Sequence, residues 1–545
     1  MTRPGLRRPG TDLLPAAILA VAIAGACLWV LLLGRGSSFW SDDWAFIVFR
    51  QGHDPDVFLR AFNGHFAAVP IALYKLLLQA FGLGHHWPYR AAVLGLHAAG
   101  VVLVWLYLRE RVGPWAALAP ALVLLAFGPA AELLVYPVNV GFQLAIVCGV
   151  GALLLLDGGP GRRRAAAACA LLTVGIASSS VAVPFLLVAA CSVLAPEARR
   201  TRWWVVAVPA TVYAAWTLAY GTSELVWSNA DIVWAYGMDG LARTTGALAA
   251  LGPEWGRTLV VAAAALVLWA IARAPRAPTR LIGLALGLLA FWALTGLARA
   301  QLGVAGSERF LYPSAVLLVL VLGEALSGRR VPRRLAPALA VVVAAVVYAN
   351  GTALHDQTLA IRDIGANVAG GVAAVVAEPG STPDAFRPPL PLYGANAGQL
   401  RTAVRLYGAP PSNSAPGRQS FDDVLRAAAA PLLRAAPPGG RPAPPAATAG
   451  PGTTLTPRRG CLVAAPGAAG ALVLAELPRG GLLVRAGAAP VEVRTRRLAT
   501  GFGAVDVRVA AGAARLLGPL PASGPPPWNT RLTSTAGFTV CAAAG

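Results

Sequence analysis

Lysine is nearly absent from this 545-residue sequence, and charge in general is scarce. Lysine occurs once, at Lys75, and Asp, Glu, Lys and Arg together make up 13% of the residues. Soluble domains contain about 25% charged residues and lack repeated apolar runs long enough to cross a bilayer. Here the charge is low and the mean hydropathy is +0.62, so an ordinary soluble protein is excluded.

The beginning of the sequence has no signal-peptide cleavage motif. Arg3, Arg7 and Arg8 precede an apolar stretch from Leu13 to Gly34, and no Ala-x-Ala site follows it. The stretch is also too long for the hydrophobic core of a signal peptide. We therefore expect an uncleaved first membrane helix.

The formal net charge of +21 comes almost entirely from arginine. Nucleic-acid binding requires a continuous basic face with interleaved aromatic residues, whereas the arginines form short clusters between apolar runs. Nucleic acid is therefore not an expected partner. The heavy use of Ala, Gly, Pro and Arg is typical of a GC-rich genome, so alanine runs are given little functional weight.

Apolar runs predict about eleven membrane-spanning helices. Several runs are shorter than the roughly 20 residues that a span needs, so their ends must extend into the adjoining connections. The runs after the first helix are Tyr89–Leu108, Trp115–Phe127, Val140–Leu156, Ala165–Ala177, Val181–Leu194, Trp203–Tyr220, Thr258–Ile271, Leu281–Leu297, Phe310–Leu326 and Leu335–Tyr348.

Arginine clusters occupy alternate connections between these runs. Because cytoplasmic loops are enriched in Arg and Lys, these connections and the N-terminus are predicted to be cytoplasmic. An odd number of spans then places the C-terminus outside. The clusters are Arg109 and Arg111; Arg162, Arg163 and Arg164; Arg199, Arg200 and Arg202; Arg273, Arg276 and Arg280; and Arg329, Arg330, Arg333 and Arg334.

The stretch Ala165–Leu194 allows two interpretations. It is either one long helix or two helices broken at Ser178-Ser179-Ser180 and Pro184. A single crossing would put the arginines at 199, 200 and 202 outside, so the charge rule favours two helices.

After Asn350 the sequence loses its membrane character. Residues 351–433 are predicted to be a mixed α/β segment, and residues 434–457 a Pro/Gly/Ala linker that is extended or disordered. Residues 458–545 contain short alternating strands such as Val491–Thr495 between Gly and Pro turns. That pattern predicts a small β-sandwich.

Two of the six cysteines bracket the β-rich segment. Cys461 and Cys541 can form a disulfide if the tail is extracytoplasmic, in agreement with the topology from the arginines. The other four lie in apolar runs and are interpreted as small buried hydrophobic residues; they are Cys27, Cys148, Cys169 and Cys191.

The first outer loop, residues 35–88, contains the main candidates for chemistry. Asp42 and Asp43 are flanked by Trp40 and Trp44 just outside the first helix. Such aromatics belong to the interfacial belt, which places the acidic pair at the membrane surface, where partial desolvation increases the basicity of a carboxylate. Further along, residues 69–82 are too short to cross readily, and an amphipathic interfacial helix is expected.

At this loop the sequence resembles membrane glycosyltransferases of the C superfamily, which use polyprenyl-phosphate sugars and include protein O-mannosyltransferases and lipid A aminoarabinose transferases. Asp42-Asp43 is similar to the family's acidic pair, and Arg109–Gly113 resembles the cytoplasmic turn after its second helix. The resemblance extends over residues 12–330 and depends on the order and spacing of the matching segments. The other matching segments are His65, Pro70 and Tyr74; Phe81-Gly82 with Trp87 to Arg90; and Ser307 to Pro313.

The sequence also departs from the family pattern. Asn139, with Glu132 a little earlier, stands where the family often has an acidic residue in the second outer loop. The family's Thr-Lys step in the third outer loop is absent from Ser178-Ser179-Ser180.

The resemblance implies an all-α polytopic membrane fold and an inverting hexosyl- or pentosyltransferase. The donor would be a polyprenyl-phosphate sugar, and the acceptor an extracytoplasmic glycan, lipid or protein. We expect Asp42 or Asp43 to be the general base, His65 to contact substrate, and Arg309, Lys75 or Arg50 to contact the donor phosphate. A divalent cation between carboxylate and phosphate is compatible with this chemistry, but no residues specify a metal site.

Each candidate also has a structural interpretation. Asp42 can cap the short helix that begins near Trp44, and Arg309 can anchor its helix at the membrane boundary. His85 and His86 are interpreted as interfacial residues without metal partners.

Two more interpretations concern Glu132 with Asn139, where packing is the alternative to a role in the site, and Asp422 with Asp423, which we expect to be solvated.

Two other classes of function compete with the enzyme. One is a transporter or flippase of lipid-linked sugars, which usually buries ionisable residues near the bilayer midplane. The other is a non-catalytic envelope protein whose β domain binds polysaccharide.

Overall fold

The computed structural model describes residues 13–158, 161–193, 202–222, 224–275, 277–303, 308–329, 332–429, 432–436, 442–518, 520 and 526–543. The chain divides into two compact units. The helical unit contains Met1–Arg35, Arg50–Ala80 and Trp87–Arg362. The C-terminal unit contains Gly36–Phe49, Phe81–His86 and Asp363–Gly545. The predicted first outer loop is therefore divided between the two units.

The helices of the described residues are α1 to α18 in chain order. Those of the helical unit are α1 (Leu13–Leu33), α3 (Pro55–Leu59), α4 (Ala68–Phe81), α5 (Trp87–Val112), α6 (Pro114–Leu125), α7 (Ala131–Val135), α8 (Val140–Asp157), α9 (Arg162–Ile176), α10 (Val183–Val193), α11 (Trp204–Tyr220), α12 (Val233–Leu248), α13 (Pro253–Arg273), α14 (Thr279–Arg299), α15 (Glu308–Ala325) and the first part of α16 (Ala336–Ala377). The C-terminal unit has α2 (Asp43–Phe49), the end of α16, α17 (Ala397–Tyr407) and α18 (Ala415–Ala428).

Among the described residues, six helices are long and apolar enough to cross a membrane, and a bent pair, Pro114–Leu125 with Gly128–Val135, makes up to seven. The chain is therefore a multi-pass membrane protein with an α-helical membrane part. Helices α4, α10 and α11 are apolar but shorter. The count of eleven spans remains a prediction.

Helix α16 differs from the sequence prediction because it continues for 42 residues, far beyond Tyr348. No proline occurs between Pro337 and Pro379, and alanine-rich sequence propagates a helix readily. The predicted change of character at Asn350 is therefore a change in polarity along one helix.

The arginine-rich connections meet at one end of the helical unit. Arg111 donates to Asp157 over 2.7 Å and is also paired with Glu324, while Arg280 is paired with Asp157. The hydroxyl of Tyr107 donates to Glu324 over 2.8 Å. These residues lie at the ends of α5, α8 and α15 and the start of α14, which agrees with the prediction that their connections share one side.

A break separates α9 from α10. A 3-10 turn, Ser180–Ala182, lies between them, and the hydroxyl of Ser179 accepts a hydrogen bond from the backbone N–H of Val181. The Ser178 hydroxyl donates to the carbonyl of Val174. These serines satisfy backbone groups where the helix stops, in agreement with the interpretation of two helices. Arg199 and Arg200 lie outside the described residues.

The C-terminal unit contains two antiparallel sheets of short strands. Buried and more exposed side chains alternate along the strands, so that one face of each strand is buried. In β6, for example, Leu482, Val484 and Ala486 are buried. The strands are β1 (Leu433–Ala435), β2 (Ala447–Ala449), β3 (Thr454–Arg458), β4 (Cys461–Ala465), β5 (Ala471–Glu476), β6 (Leu482–Ala486), β7 (Val491–Arg496), β8 (Val507–Val509), β9 (Ala514–Leu517), β10 (Asn529–Ser534) and β11 (Phe538–Ala542). The sheet orders are β1-β9-β6-β11-β4-β3 and β2-β5-β10-β7-β8.

Cys461 and Cys541 form a disulfide, as predicted. They lie on β4 and β11, which are neighbours in the six-stranded sheet. The bond joins residues 80 positions apart. It therefore ties the last strand, β11, to the fourth strand, β4.

Two segments of the tail differ from the sequence prediction. Within residues 351–433, the described elements before β1 are helices, so a mixed α/β segment is not observed there. Within residues 434–457, β2 pairs with β5 and β3 pairs with β4. Pairing with strands that come later in the chain orders this proline-rich sequence, and the β domain begins earlier than predicted. Pro437 to Gly440 lie outside the described residues.

The prediction that Asp422 is solvated is wrong. Asp422 is fully buried, and its carboxylate accepts hydrogen bonds from the backbone N–H groups of Arg497, Leu498 and Ala499 over 2.8–3.1 Å. It joins α18 to the loop after β7. Asp423 is exposed and paired with Arg426.

Candidate functional site

A small hairpin in the first loop carries His65. Phe62 and His65 exchange backbone hydrogen bonds of 3.1 and 2.8 Å, and Asn63 and Gly64 between them have φ angles of 48° and 74°. Asn-Gly is the preferred pair for a type I′ turn, which needs positive φ at both central residues. The turn fixes the position of His65 at the end of the hairpin.

A cavity of about 550 Å³ lies within the helical unit. Its wall is largely apolar, and one group of polar side chains interrupts it. The aromatic residues of the lining are Phe142, Tyr213, Trp216, Phe291 and Phe310. The polar group comprises Asn63, His65, Ser180, Glu224 and Arg299, and the hydroxyl-bearing Thr217, Thr222 and Thr295 also line the cavity. This division suits an amphiphile that has an apolar part and a polar or charged part.

The polar residues of the cavity come from connections that the arginine pattern predicts to be extracytoplasmic. His65 lies in the first outer loop, Ser180 in the break between α9 and α10, and Glu224 after α11. Arg299 is the last residue of α14. The cavity and the Arg111–Asp157 network therefore involve opposite ends of α8 and α14.

His65 is bound to Ser180. Its Nδ1 lies 2.7 Å from the Ser180 hydroxyl, and its ring meets that of Phe142 at a steep angle. Burial lowers the pKa of His65 to about 4, and the positive charges of Arg299 and Arg309 act in the same direction. His65 is therefore neutral at physiological pH and can either donate or accept one hydrogen bond through its other ring nitrogen.

Arg299 is held by two groups near the hairpin. Its guanidinium lies 3.3 Å from the Glu224 carboxylate and 3.4 Å from the carbonyl oxygen of Asn63. The amide of Asn229 donates to the carbonyl of Leu297 at the end of α14. This contact keeps the segment that follows Glu224 against that helix end.

Arg309 lies beside the cavity lining. It pairs with Glu132 over 3.7 Å, and the next residue, Phe310, lines the cavity. Glu132 also accepts, through its backbone carbonyl, a hydrogen bond from the amide of Asn139. The two outer-loop candidates Glu132 and Asn139 are therefore linked to each other and to Arg309.

Arg50 and Lys75 hold the first loop together. Arg50 is buried and donates to the carbonyls of Val57 and Ala61 over 3.1 and 2.7 Å. Lys75 donates to the carbonyls of Arg50 and Gly52, and burial lowers its pKa. Neither residue lines the cavity, so their contacts favour a role in loop structure over phosphate binding.

The acidic pair belongs to the C-terminal unit, where its two members differ. Asp43 begins α2, is fully buried, and accepts a hydrogen bond from the Trp40 backbone N–H over 3.2 Å. Asp42 precedes the helix and is partly exposed. Asp43 therefore stabilises the turn that leads into α2, and Asp42 is the more accessible carboxylate.

The two histidines before α5 also differ from each other. His85 is exposed, whereas His86 is buried with its ring edge against Phe39 at 4.8 Å between centroids. His86 therefore has a packing role, and the interfacial interpretation does not describe it. In the described part of the chain, no group of three or more His, Cys, Asp or Glu residues could hold a metal ion.

Arg299, Glu224 and Ser180 were not predicted from the sequence to be site residues. The Asn63-Gly64 dipeptide signalled the turn that positions His65. Arg299 could have been noted as an arginine at an otherwise arginine-poor helix end. Nothing local in the sequence pairs it with Glu224, which lies 75 positions away.

No family model and no curated protein sequence matches the chain. The solved crystal structure of ArnT from Cupriavidus metallidurans bound to undecaprenyl phosphate is similar with a TM-score of 0.46 and 15% sequence identity. The match covers 72% of this chain and 88% of that one. A likeness at this level does not assign an activity.

Proposed function

We propose that the protein is a membrane glycosyltransferase that moves a sugar from a polyprenyl-phosphate donor to an extracytoplasmic cell-envelope acceptor. The observation that carries the proposal is the cavity in the helical unit. Its aromatic and apolar wall suits an isoprenoid chain or the face of a sugar ring. Its polar group suits hydroxyl groups and an anionic headgroup.

The polar group has the chemistry that a sugar phosphate requires. Arg299 offers a planar fork of donors that matches phosphate oxygens. Neutral His65, oriented by Ser180, offers a hydrogen bond to a hydroxyl without adding charge. The Arg309 charge next to the cavity adds to the positive potential on the same side.

The reaction is a displacement at the anomeric carbon. The acceptor oxygen forms a bond to that carbon while the bond from the carbon to the phosphate oxygen breaks, and polyprenyl phosphate leaves. A carboxylate takes the proton of the acceptor hydroxyl, which contributes about 10²–10⁴-fold to the rate. We assign this role to Asp42 because it is partly exposed, and we assign Asp43 to the structure of the loop. A single displacement inverts the anomeric configuration.

The proposal is tested by sugar transfer in membranes supplied with polyprenyl-phosphate sugars. Asp42→Asn is expected to reduce kcat by about 10²–10⁴-fold without changing the melting temperature. Asp43→Asn is expected to lower the melting temperature, because it weakens a buried hydrogen bond worth about 1–3 kcal/mol. Asp54→Asn is the matched control, because Asp54 is exposed in the same loop and its side chain makes no capping hydrogen bond.

Wild-type transfer by the Asp42→Asn protein would remove the proposed base. Absence of transfer by the wild-type protein with all donors, combined with translocation of the lipid-linked sugar across vesicles, would identify a flippase.

A further inference from the structure

We propose that Arg299 is the headgroup site of the cavity and that Glu224 is a displaceable counter-ion at that site, which a phosphate group replaces. This inference rests on the proposed function and names the residues that receive the donor's anionic group. It also explains why an acidic side chain lines a cavity proposed to bind an anion.

The ion pair between Arg299 and Glu224 has the geometry of a weak contact. The nearest nitrogen and oxygen are 3.3 Å apart, and the side chains are 25% and 38% exposed. Exposed or half-exposed pairs contribute little to stability. A phosphate that accepts two parallel hydrogen bonds from the guanidinium makes a stronger contact. Replacement of Glu224 by a phosphate is therefore favourable at modest ligand concentration.

The contrast with Arg111 supports this assignment. Arg111 is 11% exposed and contacts two carboxylates, one of them over 2.7 Å. Arg299 contacts the Glu224 carboxylate over 3.3 Å and a backbone carbonyl over 3.4 Å. The first arrangement leaves little room for another anion, whereas Arg299 lines an open cavity.

Glu224 also connects the ion pair to the hairpin. Its side chain lies so close to Gly64 that a Cβ there would be 2.0 Å from the Glu224 Cγ. Gly64 has a positive φ and is followed by His65, which reaches Ser180. Departure of Glu224 thus removes one of the contacts that hold the hairpin tip and leaves the Asn63 carbonyl on Arg299.

A binding experiment on the full-length protein in a maltoside detergent tests the inference. The probes are undecaprenyl phosphate, the neutral alcohol undecaprenol, and inorganic phosphate. We expect Glu224→Gln to lower the Kd for both phosphate probes about two- to five-fold, the equivalent of losing one weak ion pair. Arg299→Gln should raise it at least about tenfold. Binding of undecaprenol should not change in either variant.

Asp239→Asn is the matched control. Asp239 is a carboxylate of similar exposure that pairs with Arg243 and Arg257 and does not line the cavity. Melting temperatures verify folding, and Arg299→Lys replaces Arg299→Gln if the latter does not fold.

Three outcomes separate the inference from the function on which it rests. Unchanged or weaker binding of both phosphate probes by Glu224→Gln overturns the counter-ion role. Tighter binding of inorganic phosphate alone, with no binding of undecaprenyl phosphate by any variant, supports the Arg299 site but contradicts a polyprenyl-phosphate donor. Tighter binding of both probes supports the inference and the donor class.

Discussion

The two ends of the helical unit use arginine in different ways. At one end, Arg111 and Arg280 share the carboxylates of Asp157 and Glu324 in a network of close ion pairs. At the other end, Arg299 makes longer contacts to Glu224 and a backbone carbonyl beside an open cavity. Closely paired charges join helix ends, and loosely paired charges leave donors for a ligand.

The largest effect is expected at the network end. Arg111→Met leaves Asp157 with Arg280 and Glu324 with the Tyr107 hydroxyl, and the loss of charge-assisted hydrogen bonds at these partly buried groups costs about 1–3 kcal/mol. The expected result is a markedly lower melting temperature in detergent, with normal transfer per folded molecule. Arg257→Met is the control, because Arg257 makes only a 3.9 Å exposed contact with Asp239. Equal melting temperatures for the two variants would contradict a structural role for the network.

A pH titration sharpens the comparison at the cavity end. The pKa of His65 is lowered to about 4 in the folded protein from the ordinary 6.5. As the pH falls, the imidazole is therefore protonated in the unfolded chain before it is protonated in the folded one. The stability contributed by neutral His65 is therefore complete above pH 6.5 and is lost as the pH falls through about 4.

The measurement is the free energy of unfolding of the wild type minus that of His65→Asn between pH 7 and pH 4. A difference that shrinks as the pH falls agrees with a histidine that is neutral in the folded protein. A difference that grows would show that the charged form is favoured in the folded protein.

The smallest effect is expected for Lys75, which was predicted from the sequence to contact the donor phosphate. Lys75→Met removes hydrogen bonds to the Arg50 and Gly52 carbonyls at a partly exposed position. We expect a loss of stability below about 1 kcal/mol and an unchanged Kd for undecaprenyl phosphate. A tenfold higher Kd for undecaprenyl phosphate in Lys75→Met would instead show that Lys75 contacts the phosphate.

Several features were accessible from sequence because they depend on local composition. The first helix, the break at Ser178 to Ser180 and the short helix α4 follow from apolar runs, serines and length. On α4, Ile71, Tyr74 and Leu78 are buried along one face, which is the spacing of an amphipathic helix. The Cys461–Cys541 disulfide followed from the extracytoplasmic side predicted for the tail.

Other features were not accessible because they depend on distant partners. The proline-rich segment before Arg458 is ordered by strands that come later in the chain. Asp422 looks like a surface carboxylate until the loop at 497–499 supplies three backbone donors. The acidic pair could not be resolved into a buried Asp43 and a more accessible Asp42 without the fold.

The sequence alone determined that the chain has several membrane helices and predicted which connections share a side, because a bilayer selects long apolar runs and sorts arginines by position. Only the tertiary structure decided which arginine is closely paired and which faces a cavity. The physical reason is that an ion pair depends on the distance between side chains, and residues such as Glu224 and Arg299 approach each other only after the helices have packed.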